Sequence, residues 1–365
     1  MTPRRILFIG TPIAPITPNV KSGGGVNTTL RYLLPEMASR GHQVAVIAPE
    51  GSVIEQHNRV APPIHIHQMT GTTPPSSVTA AASSLTHVDG NGMIERTWEH
   101  ACAVQKDYDI IIAQSFDWLP YYLTPFFTTP LLHWVTLSAG IDVIDRMIVE
   151  RYQQQPEHFS FYSRTQAATL SRHAEHNARI IPGGVDADLF RFCPEVSEPS
   201  LVWSARISPE KGLEDAVQIA NITGHKLHVC GTIENQLYWE RILRADTNQR
   251  IIYHGALPHD QLRHVLGQAT AMLATPKWVE AFGISLIESL ACGTPVISYA
   301  EGGPKEIIEN NVSGFLVPRN DINAMVSAVN TISSLSRQAA RQRAEHYSYG
   351  QMALRIEDWI STILI

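Results

Sequence analysis

Glu280-Ala-Phe-Gly-Ile-Ser-Leu-Ile-Glu288, continued by Ser289-Leu-Ala-Cys-Gly-Thr-Pro-Val-Ile-Ser-Tyr299, decides how the rest of the chain is read. Gly283 and Ser285 mark a helix start, and Gly293 with Pro295 mark its end. The apolar run Pro295–Tyr299 then reads as a buried strand. A helix N-terminus carries unpaired N–H groups and partial positive charge, so this one can hold a phosphate. Glu280 falls on the loop before that helix, beside the same anion. An acidic residue there is unfavourable unless it contacts a sugar; a capping or surface carboxylate is the other reading. Glu288 lies within the helix, positioned to reach a ribose diol.

The same alternation continues on both sides. Upstream, Leu201–Ala205, Lys226–Cys230, Ile251–His254 and Ala271–Ala274 read as strands, and Leu213–Ile222 and Leu262–Gln268 as helices. At the N-terminus, Arg5–Gly10, Gln43–Ala48 and Asp109–Ala113 read as strands. Thr28–Ser39 is helical, with Leu30, Leu33, Leu34 and Met37 at the spacing of one face. The fold class is therefore α/β, two doubly wound parallel-sheet domains, with the boundary near residues 183–199. Residues 1–185 form the first domain and 186–346 the second. The closing segment, residues 347–365, contains a helix over Gln351–Leu364 with Met352, Ile356, Trp359 and Ile363 on one face. Open α/β sheets bind ligands beyond the carboxyl ends of their strands, so a cleft between two such sheets is the expected place for function. Pro62–Asn91, rich in Pro, Thr, Ser and Ala, reads as a loop insertion.

Composition narrows the classes. A chain of 365 residues, 44% hydrophobic and 17% charged, suits two globular cores. A net charge of −6 argues against a dedicated nucleic-acid surface. Cys102, Cys193, Cys230 and Cys292 have no paired spacing, so neither a zinc site nor a disulfide framework is expected. The apolar run Ile6–Ile9 is too short for a signal peptide, and no apolar run approaches the ~18 residues of a membrane span. The expectation is a cytoplasmic protein with reduced thiols.

Further candidates follow strand ends. Gly23-Gly24-Gly25 precedes a helix and lets backbone approach an anion, or is simply a flexible loop. Arg206 and Lys211 follow the strand Leu201–Ala205; two such cations suit a diphosphate, and two solvated surface cations are the alternative. His133, in Leu131-Leu-His-Trp-Val135, is either a polar contact to sugar or acceptor or a core histidine. Asp117 follows the strand Asp109–Ala113 as an acceptor ligand or a helix cap. Trp118, Tyr121, Tyr122, Phe126 and Phe127 line an acceptor pocket or belong to the core. The first strand is followed by Gly10-Thr-Pro-Ile-Ala-Pro15, which lacks the glycine pattern of a dinucleotide-binding oxidoreductase.

Gly23-Gly24-Gly25, Ile181-Pro-Gly-Gly-Val-Asp186, Arg206 with Lys211-Gly212, Glu280-x7-Glu288 with Ala291-Cys-Gly-Thr-Pro-Val296, Gly302-Gly-Pro-Lys-Glu306 and Ser313-Gly-Phe-Leu-Val-Pro318 together resemble the retaining glycosyltransferases of family 4, which have the GT-B fold. The resemblance implies transfer of a hexose from a UDP-sugar with no metal and no cofactor. It implies Gly24 and Gly25 near the diphosphate or donor sugar, and Arg206 and Lys211 on the diphosphate. Glu280 would lie near the sugar, with the Phe282 and Gly283 backbone at its hydroxyls. Ile284, Ser285 and Leu286 would face phosphate, and Glu288 the ribose. The final helix would cross back to the first domain. The family's usual Thr-x-His is absent; here His133, Thr136 or Ser138 stands at that place, depending on register.

A narrower resemblance, carried by Tyr108-Asp-Ile-Ile-Ile, Phe116-Asp-Trp-Leu-Pro-Tyr-Tyr-Leu-Thr-Pro-Phe-Phe127 and Pro276-Lys-Trp-Val-Glu-Ala-Phe282, is to cyanobacterial UDP-glucose:tetrahydrobiopterin glucosyltransferases. It implies a reduced pterin as acceptor, stacked on the aromatic segment that includes Trp118. A nucleotide-sugar-binding protein without transfer activity, or a transferase with a lipid or other acceptor, are the competing classes.

Overall fold

The computed structural model describes residues 2–17, 24–56, 60–73, 91–114, 117–196 and 198–364. They form two compact units, residues 1–182 with 349–365, and residues 183–348.

The first unit holds seven parallel strands: β1 (Arg5–Ile9), β2 (Gln43–Pro49), β3 (His65–Met69), β4 (Ile110–Ala113), β5 (Leu131–Val135), β6 (Phe159–Phe161) and β7 (Arg179–Ile180), in the order β3-β2-β1-β4-β5-β6-β7. Helices cover both faces, so the inner strands are continuous apolar runs such as Ile110-Ile-Ile-Ala113 rather than alternating ones. Leu7, Ile9, Ala45, Ile47 and Ile111 pack on Trp98 and Ala101 of the helix Met93–Val104.

Strand β3 corrects the expected loop over Pro62–Asn91. His65–Met69 pairs in parallel with β2 at the sheet edge. It was hidden because an edge strand leaves His65 and Gln68 exposed, which erases the apolar signal. His67 is held by Tyr108 Oη at 2.7 Å and His100 Nε2 at 2.9 Å. Residues 74–90 of that stretch lie outside the described residues.

The helix Tyr349–Ile363 packs in the first unit. Met352, Ala353, Ile356, Trp359 and Ile360 are buried on one face, and each large side chain contributes about 1.5–3 kcal/mol by leaving water. Glu357 accepts from Arg40 at 2.6 Å and lies 3.1 Å from His42 Nε2, while the Trp359 indole N–H donates to the Glu157 carbonyl at 2.7 Å.

The second unit has β8 (Ser200–Ser204), β9 (Lys226–Cys230), β10 (Ile251–Gly255), β11 (Ala271–Ala274), β12 (Val296–Tyr299) and β13 (Gly314–Val317), all parallel, ordered β10-β9-β8-β11-β12-β13. In both sheets the strand order reverses once, between β1 and β4 and between β8 and β11. Loops leaving the carboxyl ends of those strand pairs diverge and open a crevice, where α/β folds take their ligands.

Candidate active site

In the second unit the two loops at the reversal point carry the charged candidates. The chain leaves β8 at Ser204, places Arg206, and tightens into a turn over Pro209–Lys211 that ends on Gly212. Gly212 has φ +67°, and a Cβ there would lie 2.0 Å from the Thr275 carbonyl oxygen. Only glycine lets the loop after β11 lie against this turn. That loop is stitched down: Thr275 Oγ1 donates to the Gly212 carbonyl at 2.7 Å, and Lys277 N–H to the Glu210 carbonyl at 2.8 Å.

The stitching brings Lys211 and Glu280 together although they are far apart in sequence. Lys211 Nζ donates to Glu280 Oε2 at 2.6 Å, and the Trp278 indole N–H donates to the same oxygen at 3.1 Å. Lys211 Nζ also sits 4.7 Å from the centre of the Trp278 ring, a cation–π contact. Burial pushes the Glu280 carboxyl up, but the Lys211 charge and the hydrogen bonds from Lys211 and Trp278 outweigh it and hold the group below the usual range, with Arg206 helping from further off. Arg206 is paired with Glu234 and, at 3.3 Å, with Glu210, which also accepts from Ser208 Oγ at 2.6 Å.

The loop after β12 locks this segment from the other side. Gly303 N–H donates to the Glu280 carbonyl at 2.8 Å. A Cβ on Gly302 would meet the Glu280 carbonyl oxygen at 2.4 Å, and one on Gly303 the Phe282 carbonyl oxygen at 2.1 Å. The Gly302-Gly303 pair is thus required by close backbone contact. The Phe282 side chain is core, edge-on to Tyr347 with ring centres 5.7 Å apart, so only its backbone is left to face a ligand.

Gly283, at φ +112°, starts the helix Ile284–Ala291. Leu286 N–H donates to the Gly283 carbonyl at 3.1 Å, and Ile284 and Ser285 stand in the first turn, where N–H groups of the kind that bind anions occur. Glu288 lies one turn further along, 6% exposed, with His259 Nε2 at 3.9 Å; burial pushes its carboxyl up to about 7.

In the first unit the reversal point carries Gly24, Gly25, Asp117 and Trp118. Gly24 and Gly25 form the exposed first turn of the helix Gly24–Ser39, which begins earlier than the spacing of its leucines suggests. Gly24 has φ +58° with nothing within 4 Å of a Cβ, so backbone conformation and not a close neighbour calls for glycine there. Gly23 lies outside the described residues. Asp117 caps the helix Trp118–Leu123 through Leu119 N–H at 3.0 Å, and burial pushes its carboxyl up. The aromatic segment divides. Tyr121 is buried, Phe127 and the half-buried Trp118 pack on core clusters, and Tyr122 and Phe126 are exposed; the Tyr122 ring centre lies 5.8 Å from that of Trp118 and 6.0 Å from that of Phe126.

His133 is corrected by its surroundings. It sits mid-strand in β5, 2% exposed, between the tilted rings of Tyr121 at 4.8 Å and Phe159 at 4.9 Å, with Nε2 2.9 Å from Thr124 Oγ1. Burial, reinforced by His158 and Arg151, lowers it to about 3, so it stays neutral inside the core and presents nothing to a substrate. Thr136 and Ser138 lie beyond the end of β5, and the buried Ser138 Oγ has no hydrogen-bond partner among the described residues.

Sequence reasoning overlooked Trp278 as a site residue. Its signal was position alone, an indole two residues before Glu280 on the loop leaving β11. Gln114 was also missed; it ends the run after β4, 1% exposed, with its Oε1 unpaired among the described residues.

Two family models match the chain: Glycosyltransferase Family 4 over residues 23–189 and Glycosyl transferases group 1 over residues 191–350. Among curated proteins the chain is similar to the 2-deoxystreptamine N-acetyl-D-glucosaminyltransferase of Streptomyces fradiae, 30% identical over 36% of this chain and 32% of that protein. It is also similar to the D-inositol 3-phosphate glycosyltransferase of Mycolicibacterium smegmatis, 22% identical over 94% of this chain and 88% of that protein. For the first three such relatives the matched part is 32%, 59% and 63% of their own length. Among solved structures, Anabaena HepE in complex with UDP and glucose superposes with a TM-score of 0.76 at 16% identity, covering 98% of this chain and 100% of that one. The sucrose-phosphate synthase of Thermosynechococcus elongatus gives 0.75 at 19% identity, covering 99% of both. The architecture is the GT-B fold. Among the described residues, no helix is long and apolar enough to cross a membrane.

Proposed function

The chain belongs to the glycosyltransferases of family 4, and on that premise we propose that it transfers a hexose, glucose first among the candidates, from a UDP-sugar to a small-molecule hydroxyl with retention of anomeric configuration. The second unit takes the donor and the first the acceptor. The observation that carries the reading is the convergence of Arg206, Lys211, Glu280 and the Ile284 helix N-terminus on one end of the second sheet. UDP, seen bound in Anabaena HepE, has a diphosphate that suits two cations and a helix N-terminus. In transfer the acceptor hydroxyl attacks the anomeric carbon on the face the diphosphate leaves. Charge then grows on the phosphate while the sugar becomes oxocarbenium-like. Arg206, Lys211 and the first-turn N–H groups of Ile284 and Ser285 stabilise that growing charge, which is the main catalytic effect. The departing phosphate oxygen takes the acceptor proton. Glu280 contacts the sugar and Glu288 the ribose diol.

For the acceptor, the exposed rings of Tyr122 and Phe126 beside the half-buried Trp118 support a flat ring, and a reduced pterin such as tetrahydrobiopterin fits that chemistry. The test is UDP release from UDP-glucose with and without reduced pterins, with the product read by mass spectrometry. Pterin-dependent release with a hexosyl-pterin product is the expected result. UDP binding without release from any donor would overturn the transferase reading in favour of a binding protein.

A further inference from the structure

Lys211 Nζ donates to Glu280 Oε2 at 2.6 Å. The proposed donor chemistry, on which this inference rests, requires the same ammonium to neutralise a diphosphate. A point charge on a flexible stem can turn to the stronger anion, but that step strips a half-buried carboxylate of its cation. Glu280 retains 19% side-chain exposure, too little for water alone to replace a lost ion pair without cost. One further donor is already in place on the same oxygen, the Trp278 indole N–H at 3.1 Å.

We propose that Trp278 is the positioning residue of the donor site, holding the Glu280 carboxylate in place when Lys211 leaves it for the diphosphate. The indole is well built for this. It contacts both partners at once, since its ring faces Lys211 Nζ at 4.7 Å while its N–H points to Glu280. It is also fixed from behind. The adjacent Lys277 is tied to Asp215, which also accepts from Tyr299 Oη, and to Asn320 Oδ1 at 2.9 Å, and the Lys277 carbonyl accepts from Arg319. The loop therefore moves little when Lys211 departs, and the N–H stays aimed at the carboxylate. A leucine at 278 would give neither contact. Burial raises the Glu280 carboxyl, and Lys211, the indole and the more distant Arg206 lower it; with Lys211 engaged elsewhere, the indole is the remaining hydrogen-bond donor that keeps it charged near the sugar.

The test separates the two faces of the indole. Trp278→Phe keeps a ring for Lys211 and removes the N–H; Trp278→Leu removes both. UDP affinity is measured by calorimetry, and UDP release from UDP-glucose is followed as a function of pH. For Trp278→Phe we expect UDP affinity within about twofold of the parent, turnover lowered roughly tenfold, and the acid limb of turnover displaced upward by about one pH unit. Trp278→Leu should weaken UDP binding as well. An unchanged acid limb in Trp278→Phe overturns the proposal, and so does a loss of UDP binding and thermal stability in that variant, which marks a packing role. If the parent releases UDP from no donor, the transferase reading fails separately. The indole contact is then read without ligand, from the difference in tryptophan emission between the parent and Trp278→Phe. That difference should titrate with a carboxyl group and lose its titration in Glu280→Gln; a pH-independent difference overturns the proposal.

Discussion

Replacing Glu288 by glutamine should stabilise the protein above neutral pH and leave it unchanged in mild acid. Glu288 is 6% exposed on the helix Ile284–Ala291, and its carboxyl is raised from 4.5 to about 7 by burial. At about 1.4 kcal/mol per unit, holding it ionised in the folded protein costs about 3 kcal/mol. The sign follows from proton counting. Between pH 4.5 and 7 the folded chain keeps a proton that the unfolded chain has lost. Stability therefore falls as pH rises through that window and levels off above it. Glutamine has the same shape and no charge, so the Glu288→Gln advantage should grow from near zero at about pH 4.5 to about 3 kcal/mol at about pH 8. Urea unfolding of parent and variant across that range measures it, reading the second unit through its tryptophans. An advantage that does not depend on pH would refute the reasoning, because then burial is not what the carboxylate opposes. A residue held at such a cost invites a functional reason, and the same substitution should weaken UDP binding by roughly tenfold or more if a charged carboxylate holds the ribose diol.

Lys211→Ala should lower turnover by roughly a hundredfold or more, beyond what the stability lost with the Glu280 ion pair explains, measured as UDP release beside a thermal scan; turnover near the parent's would remove Lys211 from the mechanism. Gly303→Ala forces a Cβ to within 2.1 Å of the Phe282 carbonyl oxygen, so it should destabilise the second unit by about 1–3 kcal/mol and depress activity together, read by urea unfolding and donor turnover. Glu357→Gln should cost about 1.5–3 kcal/mol at neutral pH by breaking the pair with Arg40. The Arg40 hydrogen bond holds the Glu357 carboxyl below the ordinary range, so its stabilisation is present above the unfolded value and lost as pH falls through the folded one; the variant's deficit should shrink in acid.

The two-sheet architecture was legible because most strands are buried on both faces. Runs such as Ile110–Ala113 and Val296–Tyr299 have no solvent side to interrupt them, and glycine or proline closes many of the segments. Strand β3 was not legible for the converse reason, since an edge strand built of His65, His67 and Gln68 shows no apolar period. The start of the helix Gly24–Ser39 was missed because glycine discourages helix in general but tolerates its first turn. Arg206, Lys211, Glu280 and Glu288 could be picked out because strand ends and a helix start are marked in sequence. Their partners could not. Nothing local says that Lys211 meets Glu280, or that Trp278 joins them, because those contacts depend on β8 and β11 being neighbours in the sheet. His133 misled for a similar reason: its polar chemistry is visible in sequence, whereas the Tyr121 and Phe159 rings that enclose it come from other elements.

Glu280 precedes one short helix, Glu288 lies within it, and the two carboxyls are pushed in opposite directions. Glu280 stands before the first turn, where Lys211 and Trp278 outweigh its burial and keep it charged. Glu288 stands inside, where burial dominates and favours the protonated form. Pairs of carboxyls driven apart in this way mark a division of labour in many active sites. Here the division suits a donor with two unlike ends. On the proposed arrangement, the charged carboxylate would face the sugar as it gains positive character, and the buried one would accept from a ribose diol. Binding of UDP should then draw the Glu288 carboxyl back down and release a proton near neutral pH. Calorimetry in buffers of different ionisation heat would detect that proton, and in Glu288→Gln it should vanish. Its persistence in the variant would assign the release to another group and leave Glu288 without the ribose.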